Sequence, residues 1–128
     1  MPIKVLVADD NKLILAMAQE ALESQGFEVV AVDDSVRVYK EVLEHKPRII
    51  LLDIMMPGID GIEICRNLKR SPVTREILIV IHSGKTDMAL MDLCFEAGAQ
   101  AFIIKSDGPE AMAAKVKEIA KDKLNLQA

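Results

Sequence analysis

At 128 residues the chain is long enough for one domain with a real buried core. A hydrophobic content of 51% and a mean hydropathy of +0.21 exclude a disordered tail. The net charge of −4 gives no support for direct contact with nucleic acid or insertion at an anionic membrane, since basic surfaces favour both.

The N-terminal "MPIKVLVADD" enters a strand-like run, Ile3–Ala8, at once, with neither the basic region nor the cleavage site of a signal peptide. Asp9 and Asp10 close that run. Leu13, Met17, Ala21 and Leu22 then share one helical face, and Gly26 is a suitable stop. A second run, Glu28–Val32, precedes a helical segment carrying Val38, Tyr39, Val42 and Leu43, which must end before Pro47. The third run, Ile49–Leu52, ends in Asp53 and breaks into "IMMPGIDG". Ile64 and Leu68 mark a third helix, stopping near Ser71-Pro72. The fourth run, Ile77–Ile81, leads to Ser83-Gly84, and Met91, Phe95 and Ala97-Gly98-Ala99 mark a fourth helix. The last run, Ala101–Ile104, ends in Lys105. "DGPE" then opens a fifth helix through Met112, Val116 and Ile119, with Pro109 in its first turn. Residues 121–128 are expected to be a helix end or the start of a linker.

Several runs are continuous and β-branched, which suits strands buried on both faces of a parallel sheet. Alternation with helices five times over implies a doubly wound α/β sheet, (βα)5, in one domain over 1–128. No apolar run approaches the roughly 20 residues needed to cross a bilayer. Cys65 and Cys94 match neither a metal-ligand spacing nor a redox pair, so a reducing cytoplasm is expected.

In such a fold ligands collect beyond the carboxyl ends of the strands. Those ends hold Asp9-Asp10, Asp53, Ser83-Gly84 and Lys105: three acids, a hydroxyl and an ammonium directed at one crevice. Each has a plain alternative. The Asp pair could cap the first helix, Asp53 could cap a turn, Ser83 could be a turn residue and Lys105 a solvated charge. Their joint placement favours function. Carboxylates gathered together need a cation, and hard oxygen ligands favour Mg²⁺. One Asp beside such a charge sink is a candidate nucleophile for aspartyl-phosphate chemistry.

"VLVADDN", "HKPRIILLDIMMPGIDGIEICRNLK" and "EAGAQAFIIK" together resemble the receiver domain of two-component response regulators over essentially the whole chain. The resemblance implies a CheY-like, flavodoxin-like sheet with strand order 2-1-3-4-5. It implies Asp53 as phosphoacceptor, charged by a sensor histidine kinase or a histidine phosphotransfer protein. Mg²⁺ would be held by Asp10, Asp53 and the backbone carbonyl of Met55, with Asp9 acting through water. Ser83 and Lys105 would bind phosphoryl oxygens, Gly84 would leave access open, and Phe102 would change rotamer as Ser83 shifts. The segment Thr86–Ala97 carries more apolar residues than one buried face needs. It is a candidate surface for a downstream effector, an attached output domain or a second copy, around the fourth helix and fifth strand.

Two departures and two alternative readings accompany the resemblance. Ser106 stands where the family usually has proline, commonly after a cis bond. A cis bond before serine costs roughly 3–4 kcal/mol, so either the loop bears that cost or the bond is trans and Lys105 is aimed differently. Phe102 replaces the commoner tyrosine. A phosphohydrolase would carry a second acid at the place of Met55, which disfavours an enzyme; a receiver-like binding module that is not phosphorylated is the runner-up.

Overall fold

The computed structural model describes residues 2–58 and 60–124. Five parallel strands form the sheet: β1 (Lys4–Ala8), β2 (Glu28–Val32), β3 (Ile49–Leu52), β4 (Leu78–Ser83) and β5 (Ala101–Ile104), in the order 2-1-3-4-5. The connecting helices are α1 (Lys12–Ser24), α2 (Val38–His45), α3 (Gly61–Arg70), α4 (Met88–Glu96) and α5 (Pro109–Lys123). Single 3₁₀ turns precede α2 at Ser35–Arg37 and α5 at Lys105–Asp107. Of residues 121–128, expected to be a helix end or the start of a linker, α5 takes in those up to Lys123, and 125–128 lie outside the described residues.

The apolar runs divide between two layers because strand side chains alternate. Leu6, Ile50, Leu52, Ile79 and Ile81 face α2, α3 and α4, where Val42, Ile64, Cys65 and Cys94 cover them. Val5, Val7, Ile49, Leu51 and Val80 face α1 and α5, meeting Leu22, Met112 and Val116. All four residues of β3 are fully buried, as a central strand covered on both faces requires.

Three helix faces differ from expectation. In α1 the buried stripe is Leu15, Ala18 and Leu22, while Leu13 and Met17 are exposed. Leu43 in α2 and Phe95 in α4 also face outward, and Cys94 is the fully buried residue of α4. Each helix carries enough apolar residues for two overlapping stripes, and only contact with the sheet selects one.

Gly26 ends α1 as expected, with φ of 94°. Gly61 is needed for a different reason. A Cβ there would lie 2.4 Å from the Ile54 Cα, so backbone rather than a flexible side chain would have to move. Gly61→Ala is expected to cost about 2 kcal/mol, read as a lower urea midpoint with an unchanged slope.

Candidate functional site

Strand pairing runs one residue past β1 and β3. The Asp9 amide donates to the Val32 carbonyl at 3.1 Å and the Asp53 amide to the Ala8 carbonyl at 2.9 Å. Both acids are therefore fixed by the ladder, and both are buried, at 1% and 3% exposure. Asp10 beside them is exposed. Carboxylate oxygens of Asp9, Asp10 and Asp53 all lie within 4.8 Å of one another.

Lys105, at the end of β5, reaches across this group. Its Nζ is 2.8 Å from Asp9 Oδ2 and 3.2 Å from Asp53 Oδ2. Among the described residues no peptide bond is cis, so Lys105–Ser106 is trans. The 3₁₀ turn Lys105–Asp107 and Gly108, with φ of 92°, carry the chain into α5 instead. A trans bond with serine therefore still directs Lys105 into the acid group.

The electrostatics follow from burial. Desolvation, then the Asp9 charge, push the Asp53 carboxyl above its ordinary value, against the Met55 amide and Lys105. Burial pulls Lys105 down, but its pairs with Asp9 and Asp53 outweigh this and hold it above the usual lysine range. Two carboxylates thus share one ammonium in a poorly hydrated place. Asp9 Oδ2, although beside Nζ, receives no well-directed hydrogen bond. Such a donor set, all hard oxygens with a lone pair still unmet, suits Mg²⁺.

The plain alternatives are partly realised. Asn11, which the sequence reading passed over, caps α1: its side chain accepts from the Ile14 amide at 3.1 Å. This leaves the Asp pair outside the helix, although Asp9 Oδ1 accepts from the Asn11 amide at 2.9 Å. The signal for Asn11 was present, since Asn leads the capping preferences. Asp53 Oδ1 does close a turn, accepting from the Met55 amide at 3.0 Å, which leaves Oδ2 for Lys105. Met55 itself points outward and is 55% exposed.

Ser83, fully buried, ends β4 on the side of α4, and its Oγ accepts from the Lys85 amide at 3.1 Å. Gly84 is exposed, and a Cβ there would meet nothing within 4 Å, so the approach is open at that point. Phe102 is half-buried and packs with Leu90 against the α2–α4 layer. In a second grouping of ligand-type residues, Glu41, Glu44 and His45, Glu41 already holds Arg37 at 2.8 Å and His45 at 2.9 Å. The reading of the residues also missed His82, which faces the α1–α5 layer with its Nε2 buried and unpartnered. A histidine inside an otherwise aliphatic strand was its visible signal.

Comparison with known proteins identifies the family. The model of the response regulator receiver domain matches residues 5–117. The chain is 34% identical over 116 residues to the alkaline phosphatase synthesis transcriptional regulatory protein PhoP of Bacillus subtilis, covering 91% of this chain and 48% of PhoP. It thus spans about half the length of the curated relatives it matches. A CheY-like receiver domain protein from Methanospirillum hungatei superposes with a TM-score of 0.88 at 22% identity, over 98% of both chains, a likeness of fold. The BeF3-activated receiver domain of DrrB, a Thermotoga maritima protein, superposes with a TM-score of 0.84 at 30% identity, covering 94% of this chain and 99% of that one. No helix of the described residues is long and apolar enough to cross a membrane. The chain belongs to the receiver domains of two-component response regulators, whose function is to take part in phosphorylation-dependent signalling.

Proposed function

We propose that Asp53 is the phosphoacceptor and that its phosphorylation switches a partner-binding face around α4 and β5. The observation that carries this is the shared ammonium: Lys105 Nζ stands 2.8 Å from Asp9 and 3.2 Å from Asp53 at the carboxyl edge of the sheet. An Asp53 oxygen attacks the phosphorus of a phosphohistidine on a sensor kinase or phosphotransfer protein. The P–O bond forms as the P–N bond breaks, and the imidazole leaves with the electron pair. Lys105 follows the new phosphoryl oxygens, and Ser83, whose Oγ accepts from the Lys85 amide and keeps its own O–H free, donates to another. Asp10 and Asp53 with the Met55 carbonyl would hold Mg²⁺, Asp9 acting through water, and the ion would supply charge neutralisation at the transferring group. Gly84 keeps the approach open, and Phe102 follows Ser83 inward.

The apolar surplus of α4 supports the output face. Met88 is 75% exposed, and Leu93 and Phe95 are also exposed. Such a patch fits a downstream effector, an attached output domain or a second copy of the chain. The chemistry is limited to self-phosphorylation and self-dephosphorylation; with Met55 where a hydrolase would carry an acid, the protein is a cytoplasmic switch and not an enzyme of turnover.

The test is intact mass after incubation with acetyl phosphate, with and without Mg²⁺, beside Asp53→Asn. The expected result is a metal-dependent gain of one phosphoryl group that the variant lacks. No gain by the folded protein under any condition would select the unphosphorylated binding module instead.

A further inference from the structure

The turn that follows β2 meets the loop that leaves β3, and one buried side chain joins the two. Ser35 is 2% exposed, and its hydroxyl donates to the Pro57 carbonyl at 2.6 Å, across 22 positions of the chain. Among the described residues no other hydrogen bond reaches positions 54–58 from outside that loop. The loop is otherwise anchored by apolar contact: Ile54 and Met56 are buried, while Met55 between them faces water. Apolar burial is non-directional. It fixes where the loop lies but not how its peptide planes are turned.

A carbonyl that serves as a metal ligand depends on that rotation. At one end the Met55 amide donates to Asp53 Oδ1 at 3.0 Å, which fixes the peptide before Met55. At the other end Ser35 fixes the peptide after Pro57. Pro57 transmits this backward, because its ring holds φ at about −65° and leaves only ψ to vary. The Met55 carbonyl lies between the two fixed planes. Ser35 is itself well held. Asp34 Oδ1 accepts from the Val36 amide at 3.0 Å, and just upstream the Val32 carbonyl accepts from the Asp9 amide at 3.1 Å. The hydroxyl therefore ties the strand end bonded to Asp9 to the loop that begins at Asp53. The fit is close: a Cβ on Gly58, whose φ is 95°, would lie 3.3 Å from Ser35 Oγ.

We infer, on the basis of the Mg²⁺ site proposed above, that Ser35 is a positioning residue. Through Pro57 it orients the loop that presents the Met55 carbonyl, and so sets the affinity for the ion.

The test is a Mg²⁺ titration of the chain labelled with ¹³C-methyl methionine, without a phosphoryl donor. Met55 and Met56, two of seven methionines, report on the loop. The parent is expected to give saturable shifts at both. Ser35→Ala is expected to bind Mg²⁺ about tenfold more weakly, the lower end of what losing a group that orients a metal ligand costs. Val116→Ala separates a merely structural role: it removes fully buried apolar contact in the α1–α5 layer and is expected to keep the parent's affinity. Equal affinities of the parent and Ser35→Ala overturn the inference about Ser35 alone, as does an equal loss in Val116→Ala. A parent without saturable shifts overturns the Mg²⁺ site and the role of Ser35 together. Should Ser35→Ala not fold, Ser35→Cys, which keeps a side chain of similar shape but donates weakly, is read in its place.

Discussion

Lys105→Met is expected to lower the stability of the metal-free protein by about 3 kcal/mol, since truncating one partner of a buried ion pair strands the other. Here it strands two. Asp9 and Asp53 are buried and share the single Nζ, so the variant places both carboxylates together without a cation. In urea at pH 7 with chelator, the midpoint should fall by about 1–2 M at an unchanged slope. Adding Asp53→Asn to this background should restore most of the loss, because one of the two charges is then gone while an oxygen for the Met55 amide remains. Mg²⁺ should restore part of it in the single variant and little in the double. Phosphoryl uptake from acetyl phosphate should drop at least about tenfold, the scale of one lost charge contact in a transition state. An unchanged midpoint would mean that the acids are solvated enough to need no partner, and the shared-ammonium account of the site would fail.

The second large effect is a pH dependence centred on His82. Burial, then Lys105, depress its folded-state pKa to about 4, Asp9 opposing weakly. The unfolded imidazole keeps its ordinary value near 6.5. Above that value both states are neutral and nothing changes. As pH falls from about 6.5 to about 4 the unfolded state takes up a proton that the folded state refuses, so stability is lost across that window. The loss from this one group amounts to about 3 kcal/mol. His82→Leu removes it, and the difference in unfolding free energy between the two proteins, followed from pH 7.5 to 4.5, isolates it from the carboxylates. Parallel curves would show that the imidazole is hydrated in the folded protein. The leucine variant is expected to be no less stable than the parent at pH 7.5, because it loses no hydrogen bond at Nε2.

Strands were legible almost to the residue. The run Ile49–Leu52 reappears unchanged as β3, and Ile3–Ala8 loses a single residue at its start. Continuous apolar runs bounded by charges have only one economical fate in an α/β chain, which is burial on both faces. The acid set was legible for the same reason: a carboxylate directly after such a run must sit at the sheet edge, as Asp9 and Asp53 do. Helix faces were less so. Leu13 and Met17 formed a periodic stripe with Leu22, yet Leu15 and Ala18 fill the interface while those two face water.

Tertiary structure alone decided three further matters. The aim of Lys105 after a trans bond to Ser106 depends on how the Lys105–Asp107 turn and Gly108 redirect the backbone, and residue identity does not encode that path. The need for Gly61 comes from the Ile54 backbone, seven residues away, and appears only once the loop between them has closed. His82 is an ordinary letter in the sequence; its Nε2 is left without a partner where that end of β4 is closed in beneath α1 and α5. The sequence by itself determined the alternation of strands and helices, and with it which charges stand at the carboxyl edge, because hydrophobic period and chain order are local properties. Distances between those charges, the helix face that is buried and the space left between two helices are set by contacts remote in the chain, and these the tertiary structure supplied.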